Sequence, residues 1–198
     1  MSATATRMPA AERRRVIIEA ALRVFTTGSY RGTTTAEIAR AAGVSEPILY
    51  RHFASKRDIY LAALDHVWSQ ARARWEEALA DSPDIGSAFA SMTRTHVSIH
   101  ECKFQLAELW VQALSEASED PELRRHVRRH MREVHDFVAD LIRRGQEQGS
   151  IDPERDPNAE AWIMLAGGIL GMVGRRVGLL DDEELAGIRA ARLAWLRA

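Results

Sequence analysis

Helical periodicity runs through nearly the whole chain and constrains its fold more than any other feature. Apolar residues recur every three or four positions, and no stretch shows the alternation of apolar and polar residues that a strand needs. Asp-Pro pairs and glycines separate the apolar stripes. The pattern predicts an all-α fold of about nine helices with short connections. These helices are predicted at Glu12–Thr27, Thr34–Ala42, Glu46–His52, Ser55–Leu79, Ser82–Ile99, Lys103–Ala117, Pro121–Gly149, Asn158–Val177 and Asp182–Arg197.

Length and composition predict a globular protein without membrane segments. The 198 residues, 46% of them hydrophobic, suffice for one or two domains with a core. The lone Cys102 cannot form an intrachain disulfide, and Glu19 interrupts the first apolar stretch too early for a secretory signal. The longest uncharged apolar run, Ala161–Gly174, is 14 residues long, whereas a spanning helix needs about 20. We expect a cytoplasmic protein with no membrane partner.

Charge is distributed unevenly along the chain. The first 60 residues carry ten basic and five acidic side chains, and the remainder carries 17 basic and 23 acidic ones, which gives a net charge of only -1. A basic N-terminal third suggests that this part contacts a polyanion. A solvated basic face would give the same charge count.

Local capping signals define a pair of short helices near the N-terminus. Thr34 and Glu37 are spaced as a capping box, and Ser55 with Asp58 repeats that spacing before the long fourth helix. Ser45 is a suitable N-cap, and Gly43 can take the positive φ of a tight turn. The layout is that of a helix-turn-helix, whose second helix enters the major groove of DNA. An ordinary αα-corner in a helical bundle has the same turn. The inward residues of this unit are predicted to be Ile38, Ala39, Val44, Leu49 and Phe53.

The segment Gly32–Phe53, GTTTAEIARAAGVSEPILYRHF, resembles the DNA-binding domain of the tetracycline-repressor (TetR) family of bacterial transcription regulators. The preceding IIEAALRVF of Ile17–Phe25 is similar to the first helix of that family, so the resemblance covers about the first 60 residues. It implies a helix-turn-helix domain over residues 1–58 and an effector-binding and dimerisation domain over residues 59–198. It further implies a homodimer that binds a palindromic double-stranded operator, acts as a repressor and is released by a small apolar effector.

The resemblance assigns DNA-contacting roles to individual residues. Ser45, Glu46 and Ile48 fall where the family faces base edges, and Arg51 also points outward. Thr34 and Glu46 have alternative local roles, as a helix cap and as an acid near the positive end of the helix dipole. Pro47 and Ile48 depart from the small residues frequent in the family, so the operator sequence cannot be transferred. Phosphate contacts are implied for Thr34, Thr35, Tyr50, His52 and Lys56.

Glycines recur three or four residues apart on the penultimate predicted helix. So much glycine weakens an isolated helix, and close approach of a second helix would compensate. In the family resembled, the last two helices pair across a two-fold axis. Packing within one chain is the alternative. The predicted interface residues are Gly167, Gly171, Gly174, Gly178, Leu193 and Leu196.

Bulky aromatic and methionine side chains occupy the inward faces of the middle helices. Each taken singly is compatible with plain core packing. Together with two histidines they fit the effector cavity that the resemblance implies, in which a few polar groups orient an apolar ligand. The candidate effector residues are Trp68, Phe89, Met92, His96, Trp110, Met131 and His135.

No enzyme motif occurs in the sequence, which contains neither a P-loop, a nucleophile elbow nor a dinucleotide fingerprint. The pairs His96/His100 and His126/His130 have a spacing that can hold zinc, but four arginines flank the second pair and oppose a cation. We therefore expect no catalytic residues, no metal and no cofactor. The alternatives are a small-molecule sensor with vestigial DNA binding and, more remotely, a metal-dependent helical-bundle enzyme.

Overall fold

The computed structural model describes residues 8–94 and 97–197, and it describes no side chains between 90 and 104. Within these ranges the fold is entirely helical, as the periodicity predicts. The described residues form two compact units, the first ending at His66 and the second beginning at Val67, inside the fourth helix. The helices are α1 (Ala10–Thr27), α2 (Thr35–Ala41), α3 (Glu46–Tyr50), α4 (Lys56–Ala80), α5 (Ile85–Arg94), α6 (Val97–Glu116), α7 (Pro121–Glu147), α8 (Pro157–Arg176) and α9 (Asp182–Arg197).

The N-terminal unit packs α1, α2, α3 and the start of α4 around one apolar core. Ile17, Ile38 and Leu49 are completely buried, one from each of the first three helices. An aromatic cluster closes the core, with the Tyr60 ring 4.9 Å from the Phe25 and Tyr30 rings in edge contacts. The predicted inward positions are confirmed except that Val44 is only half-buried.

Local capping fixes the geometry of the turn between α2 and α3. Thr34 and Glu37 form the predicted capping box, with both reciprocal bonds present. Gly43 has φ +66°, the left-handed conformation expected for the turn glycine. Ser45 is the N-cap of α3, as predicted, and its side chain makes no capping hydrogen bond. Its backbone carbonyl instead accepts from the amides of Ile48 and Leu49.

The C-terminal unit is built around α7, which packs against α5, α6 and α8. The buried face of α7 runs from Leu123 to Gly145 and is apolar except for His130 and His135. Helix α8 also packs against α6, and α9 packs against α5. The side chains of Asp120 and Asp156 cap α7 and α8 by accepting from two backbone amides each. The Asp-Pro pairs therefore begin helices as predicted.

Several boundaries of this unit differ from the prediction. Helix α5 begins at Ile85 rather than at Ser82, because the Asp84 carboxylate accepts from the Ser87 amide at 2.7 Å. Helix α6 begins earlier than predicted, at Val97. Leu114 on α6 is 51% exposed. No helix in the described part of the chain is long and apolar enough to cross a membrane.

Candidate DNA-binding surface and apolar cavity

Three of the predicted DNA-contacting residues form one hydrogen-bond network between α2 and α3. The Thr35 hydroxyl donates to the Glu46 carboxylate at 2.7 Å, and the Thr35 and Tyr50 hydroxyl oxygens lie 3.1 Å apart. Because the single proton of Thr35 is used on Glu46, Tyr50 is the donor in the second bond. Glu46 is half-buried and Tyr50 is half-exposed. The network fixes the orientation of Glu46 on the outer face of α3.

The start of α2 is organised by Thr34 and Glu37. The Thr34 amide donates to the Glu37 carboxylate at 2.8 Å, and the Glu37 amide donates to the Thr34 hydroxyl at 3.2 Å. The hydrogen bonds from Thr34 to the Glu37 carboxylate lower the pKa of Glu37. Thr34 therefore acts as a helix cap.

Other predicted DNA-contacting residues lie in α3 or directly beside it. Ser45 and Arg51 are exposed, and Ile48 and His52 are half-buried. The exposed groups therefore include a hydroxyl and a guanidinium, both of which can donate hydrogen bonds to base edges or phosphates.

Lys56 has a different environment from the one expected of a phosphate contact. Its ammonium donates to the backbone carbonyls of Tyr30 at 2.8 Å, Thr33 at 3.0 Å and Arg31 at 3.4 Å. It also lies 4.6 Å from the centre of the Tyr30 ring. An ammonium has three protons, and here each has a carbonyl acceptor. Lys56 thus holds the loop between α1 and α2.

The C-terminal unit contains an apolar cavity of about 590 Å³. That volume lies within the range of small-molecule sites. Helices α4, α5, α6 and α7 supply most of its aromatic side chains, and α8 and α9 supply the rest of the lining. The aromatic lining consists of Trp68, Trp75, Phe89, Trp110 and Phe137, with Trp195 on α9.

The charged side chains in the described lining are Arg189 and Arg192, both from α9. Arg192 forms an ion pair with the buried Glu160 carboxylate of α8. Burial, reinforced by the neighbouring Arg155 guanidinium, lowers the pKa of Arg192. The Nε atom of Arg189 is buried and has no hydrogen-bond partner among the described residues.

The cavity contains only part of the predicted effector set. Trp68, Phe89 and Trp110 line it. Met131 is half-buried and lies outside the described lining. His135 also lies outside, because its ring nitrogens contact Asp136 and the Asn158 carbonyl and its ring stacks on Trp162 at 4.4 Å. Of the remaining two predictions, Met92 lies on α5 among the side chains that the structure does not describe, and His96 falls outside the described residues.

Sequence reasoning missed Trp75, Phe137 and Arg189 as lining residues. The sequence does indicate an inward position for Arg189, since it stands four residues from both Leu185 and Leu193 on an otherwise apolar stripe of α9. A charge within an inward stripe points to a polar partner inside the unit.

Most of the predicted interface residues on α8 and α9 have roles within the chain. A Cβ on Gly174 would lie 2.7 Å from Leu180, and Gly178 has φ +66° after the end of α8. Gly171 and Leu196 are buried. Within one chain these four residues serve packing and turn geometry, and their predicted role in a dimer interface stays a prediction. Gly167 and Leu193 also line the cavity, but Gly167 is exposed and a Cβ added to it would meet no atom within 4 Å.

An exposed apolar face runs along the same two helices. Large apolar side chains on α8 are between 39% and 50% exposed, Val177 directly after α8 is 68% exposed, and α9 adds two that are 45% and 50% exposed. Large exposed apolar patches on soluble proteins are often interaction sites. The residues of this face are Ile163, Leu170 and Val173 on α8, Val177 after it, and Ile188 and Trp195 on α9.

The histidine pair of α7 is engaged with other side chains. The Trp110 indole donates to Nδ1 of His130 at 3.2 Å, and Nδ1 of His126 lies 2.9 Å from the Arg129 guanidinium. Among the described residues no group of three or more potential ligands is placed to hold a metal ion. His96 and His100 are not covered by this statement.

Two family models together match most of the chain. The model of bacterial regulatory proteins of the tetR family matches residues 17–63, and that of the C-terminal domain of BetI-type transcriptional repressors matches residues 87–194. The second match spans more than half of the chain. The chain belongs to the TetR family. It is a TetR-type transcriptional regulator with a helix-turn-helix, as the resemblance of Gly32–Phe53 implies.

Individual TetR-type relatives are similar over different lengths. The transcriptional activator FasR of Mycolicibacterium smegmatis is 48% identical over 58 residues, which are 29% of this chain and 26% of FasR. The regulator TtgR of Pseudomonas putida is 27% identical over 202 residues, covering 92% of this chain and 88% of TtgR. High identity is therefore confined to a short segment.

Solved structures of the family share the fold. FadR from Bacillus subtilis, in complex with stearoyl-CoA, has a TM-score of 0.73 at 20% identity and covers 93% of this chain and 97% of its own. A transcriptional regulator from Saccharomonospora viridis in complex with choline has a TM-score of 0.72 at 23% identity. That match covers 93% of this chain and 94% of the regulator.

Proposed function

We propose that this TetR-type regulator is a homodimeric repressor that a small apolar effector releases from a palindromic operator. The observation that carries the proposal is the apolar cavity of about 590 Å³ in the C-terminal unit. Stearoyl-CoA and choline in the complexes of the similar structures support a ligand-binding role for this unit. As a chromosomal DNA-binding protein, the regulator would act in the cytoplasm.

DNA recognition is assigned to the outer face of α2 and α3. Thr34, Thr35, Tyr50, Arg51 and His52 are proposed to contact phosphates, which set the register of the protein on the duplex. Base reading is assigned to Ser45, Glu46 and Ile48 on the recognition helix. A carboxylate accepts from cytosine N4, and an isoleucine side chain packs on a thymine methyl group. Lys56 is proposed to act indirectly, by holding the loop that precedes α2.

The homodimer is proposed to form through the exposed apolar face of α8 and α9. Leu170, Val173 and Val177 of this face are 39% to 68% exposed and lie outside the described cavity lining. A second copy would cover them around a two-fold axis, with the same face on both subunits. Gly167, where a side chain would meet nothing within 4 Å, would allow close approach of the partner helix.

Coupling is assigned to α4, which carries Lys56 at its first residue and supplies Trp68, Ala71 and Trp75 to the cavity lining. A ligand that contacts α4 would bias its position. Dimeric regulators of this kind need a separation of about 34–36 Å between recognition helices to enter successive major grooves. A shift of α4 that moved the two recognition helices away from that separation would lower operator affinity.

The proposal is tested first by binding-site selection from genomic DNA with the purified protein, followed by mobility-shift titration of the selected site. A palindromic selected sequence and retardation by a dimer are the expected results. The competing function, a sensor with vestigial DNA binding, predicts ligand binding without any selected sequence.

The effector role is tested with a cavity-filling variant. Ala107 is buried and lines the cavity, so Ala107→Phe should block ligand entry while the DNA-binding surface remains intact. We expect normal operator affinity and loss of ligand-induced release. Loss of operator affinity together with a normal ligand response would contradict the assignment of the cavity.

A further inference from the structure

The described lining of the cavity offers hydrogen-bond donors and no acceptors on its polar side chains. Its polar groups are the indole N–H groups of four tryptophans and the guanidinium groups of two arginines. Neither group can accept a hydrogen bond. The described lining contains no carboxylate, hydroxyl, amide or imidazole side chain. A ligand with a polar end must therefore present acceptors to this surface.

Several of these donors already have partners within the protein. The Trp110 indole donates to His130 at 3.2 Å, and the Trp195 indole donates to Glu160 at 3.1 Å. Arg192 is paired with that same Glu160 carboxylate. The Nε atoms of Arg189 and Arg192 are both buried without a hydrogen-bond partner among the described residues. Arg189 differs in that, among those residues, it also has no carboxylate to pair with, whereas Arg192 has Glu160. Leaving a donor of a charged group buried without a partner costs free energy, which a ligand acceptor would recover.

Arg189 and the aromatic rings reach the cavity from different helices, which suits an anchoring role for Arg189. It lies on α9, whereas the aromatic rings of Trp68, Phe89 and Phe137 come from α4, α5 and α7. A guanidinium binds a carboxylate through two parallel hydrogen bonds. The rings provide contact area for an apolar body.

Resting on the proposed effector role of this cavity, we propose that the effector is an apolar carboxylate whose head group binds Arg189 and whose body lies among the aromatic rings. A cationic ligand is disfavoured, because two guanidinium groups in the described lining would repel it. The same rings would attract a quaternary ammonium group in the absence of those arginines. Head-group charge therefore discriminates between the two classes of ligand.

The experiment compares three probes with one apolar body and different head groups, namely phenylhexanoate, phenylhexanol and the phenylhexyl trimethylammonium cation. Binding is measured by quenching of tryptophan fluorescence, since four of the five tryptophans line the cavity, and by the shift in melting temperature. We expect phenylhexanoate to bind the unmodified protein at least ten times more tightly than the other two probes.

Substitutions of Arg189 distinguish binding of the ligand head group by its charge from general packing of the side chain. Arg189→Met should weaken phenylhexanoate at least tenfold and leave phenylhexanol unchanged, and Arg189→Lys should restore part of the loss by keeping the charge. Arg197→Met is the matched control, because Arg197 is an exposed arginine on the same helix and lies outside the described lining. That control should bind all three probes like the unmodified protein.

Equal binding of the acid and the alcohol, tighter binding of the cation, or no binding of any probe would overturn the proposal. An equal loss for acid and alcohol in Arg189→Met would show a packing role and would also overturn it. Operator affinity is measured in parallel. If phenylhexanoate binds through Arg189 but does not release DNA, the ligand class stands and the effector function fails.

Discussion

The Thr35 hydroxyl donates a 2.7 Å hydrogen bond to the Glu46 carboxylate, and this bond links the first residue of α2 to the first residue of α3. Glu46 is thereby held in one orientation before any DNA is bound. A charge-assisted hydrogen bond of this kind is stronger than one between neutral groups. Thr35 consequently influences base reading as well as phosphate contact.

The first prediction concerns this bond. Thr35→Val removes the hydroxyl and keeps the side-chain shape, so Glu46 loses its donor and Tyr50 loses its acceptor. We expect base preference to relax by about 1–3 kcal/mol at the positions that Glu46 reads. Thr35→Ser keeps the hydroxyl and is the control. Binding-site selection with the three proteins measures the effect, and unchanged base preference in Thr35→Val would refute the ordering role of Thr35.

The second prediction separates two roles for Lys56. Lys56→Met removes three hydrogen bonds to the loop between α1 and α2, so we expect the free energy of unfolding to fall by about 1–3 kcal/mol. Loss of a phosphate contact would instead lower the salt slope of DNA binding by about 0.9. Urea unfolding and mobility shifts at several salt concentrations distinguish the two. A lower salt slope of DNA binding with an unchanged free energy of unfolding would instead show that Lys56 contacts a phosphate.

The contrast between Thr34 and Lys56 shows what the sequence could predict. Thr34 and Glu37 lie three residues apart, so their capping box is encoded in a local spacing and was predicted correctly. Lys56 contacts backbone carbonyls more than 20 residues away along the chain. The surroundings of Arg189 depend on which helices pack against α9. Helix periodicity specifies which face of a helix is buried but not which other helix that face meets. The fold class and most helix ends were therefore predictable, whereas the cavity lining was not.

The third prediction tests the exposed apolar face of α8 and α9. Leu170 is 50% exposed, and Leu170→Glu would place a charge inside the proposed dimer interface. We expect a folded monomer by analytical ultracentrifugation, with unchanged helical circular dichroism. Leu114→Glu is the control, because Leu114 is equally exposed on α6. Dimers of equal stability in both variants would place the interface elsewhere.

The fourth prediction is a pH dependence from His66. Burial, with a smaller contribution from Arg15, lowers the pKa of His66 below its ordinary 6.5, although Glu19 partly opposes the shift. The unfolded chain therefore binds a proton more readily than the folded one, and stability should fall as the pH drops through 6.5. His66→Gln should flatten this decline. Urea unfolding above and below pH 6.5 measures it, and the same decline in both proteins would exclude His66 as its source.

The last prediction compares two helical glycines with different amounts of space for an added Cβ atom. A Cβ on Gly145 of α7 would lie 2.5 Å and 2.8 Å from side-chain atoms of Ile151, which is itself buried. Gly145→Ala should therefore destabilise the protein by about 1–3 kcal/mol through overpacking. A Cβ on Gly187 of α9 would meet nothing within 4 Å, so Gly187→Ala should stabilise it by about 0.5–1 kcal/mol through helix propensity. Thermal unfolding of both variants measures the difference. Equal effects of the two substitutions would show that Ile151 can move aside without cost.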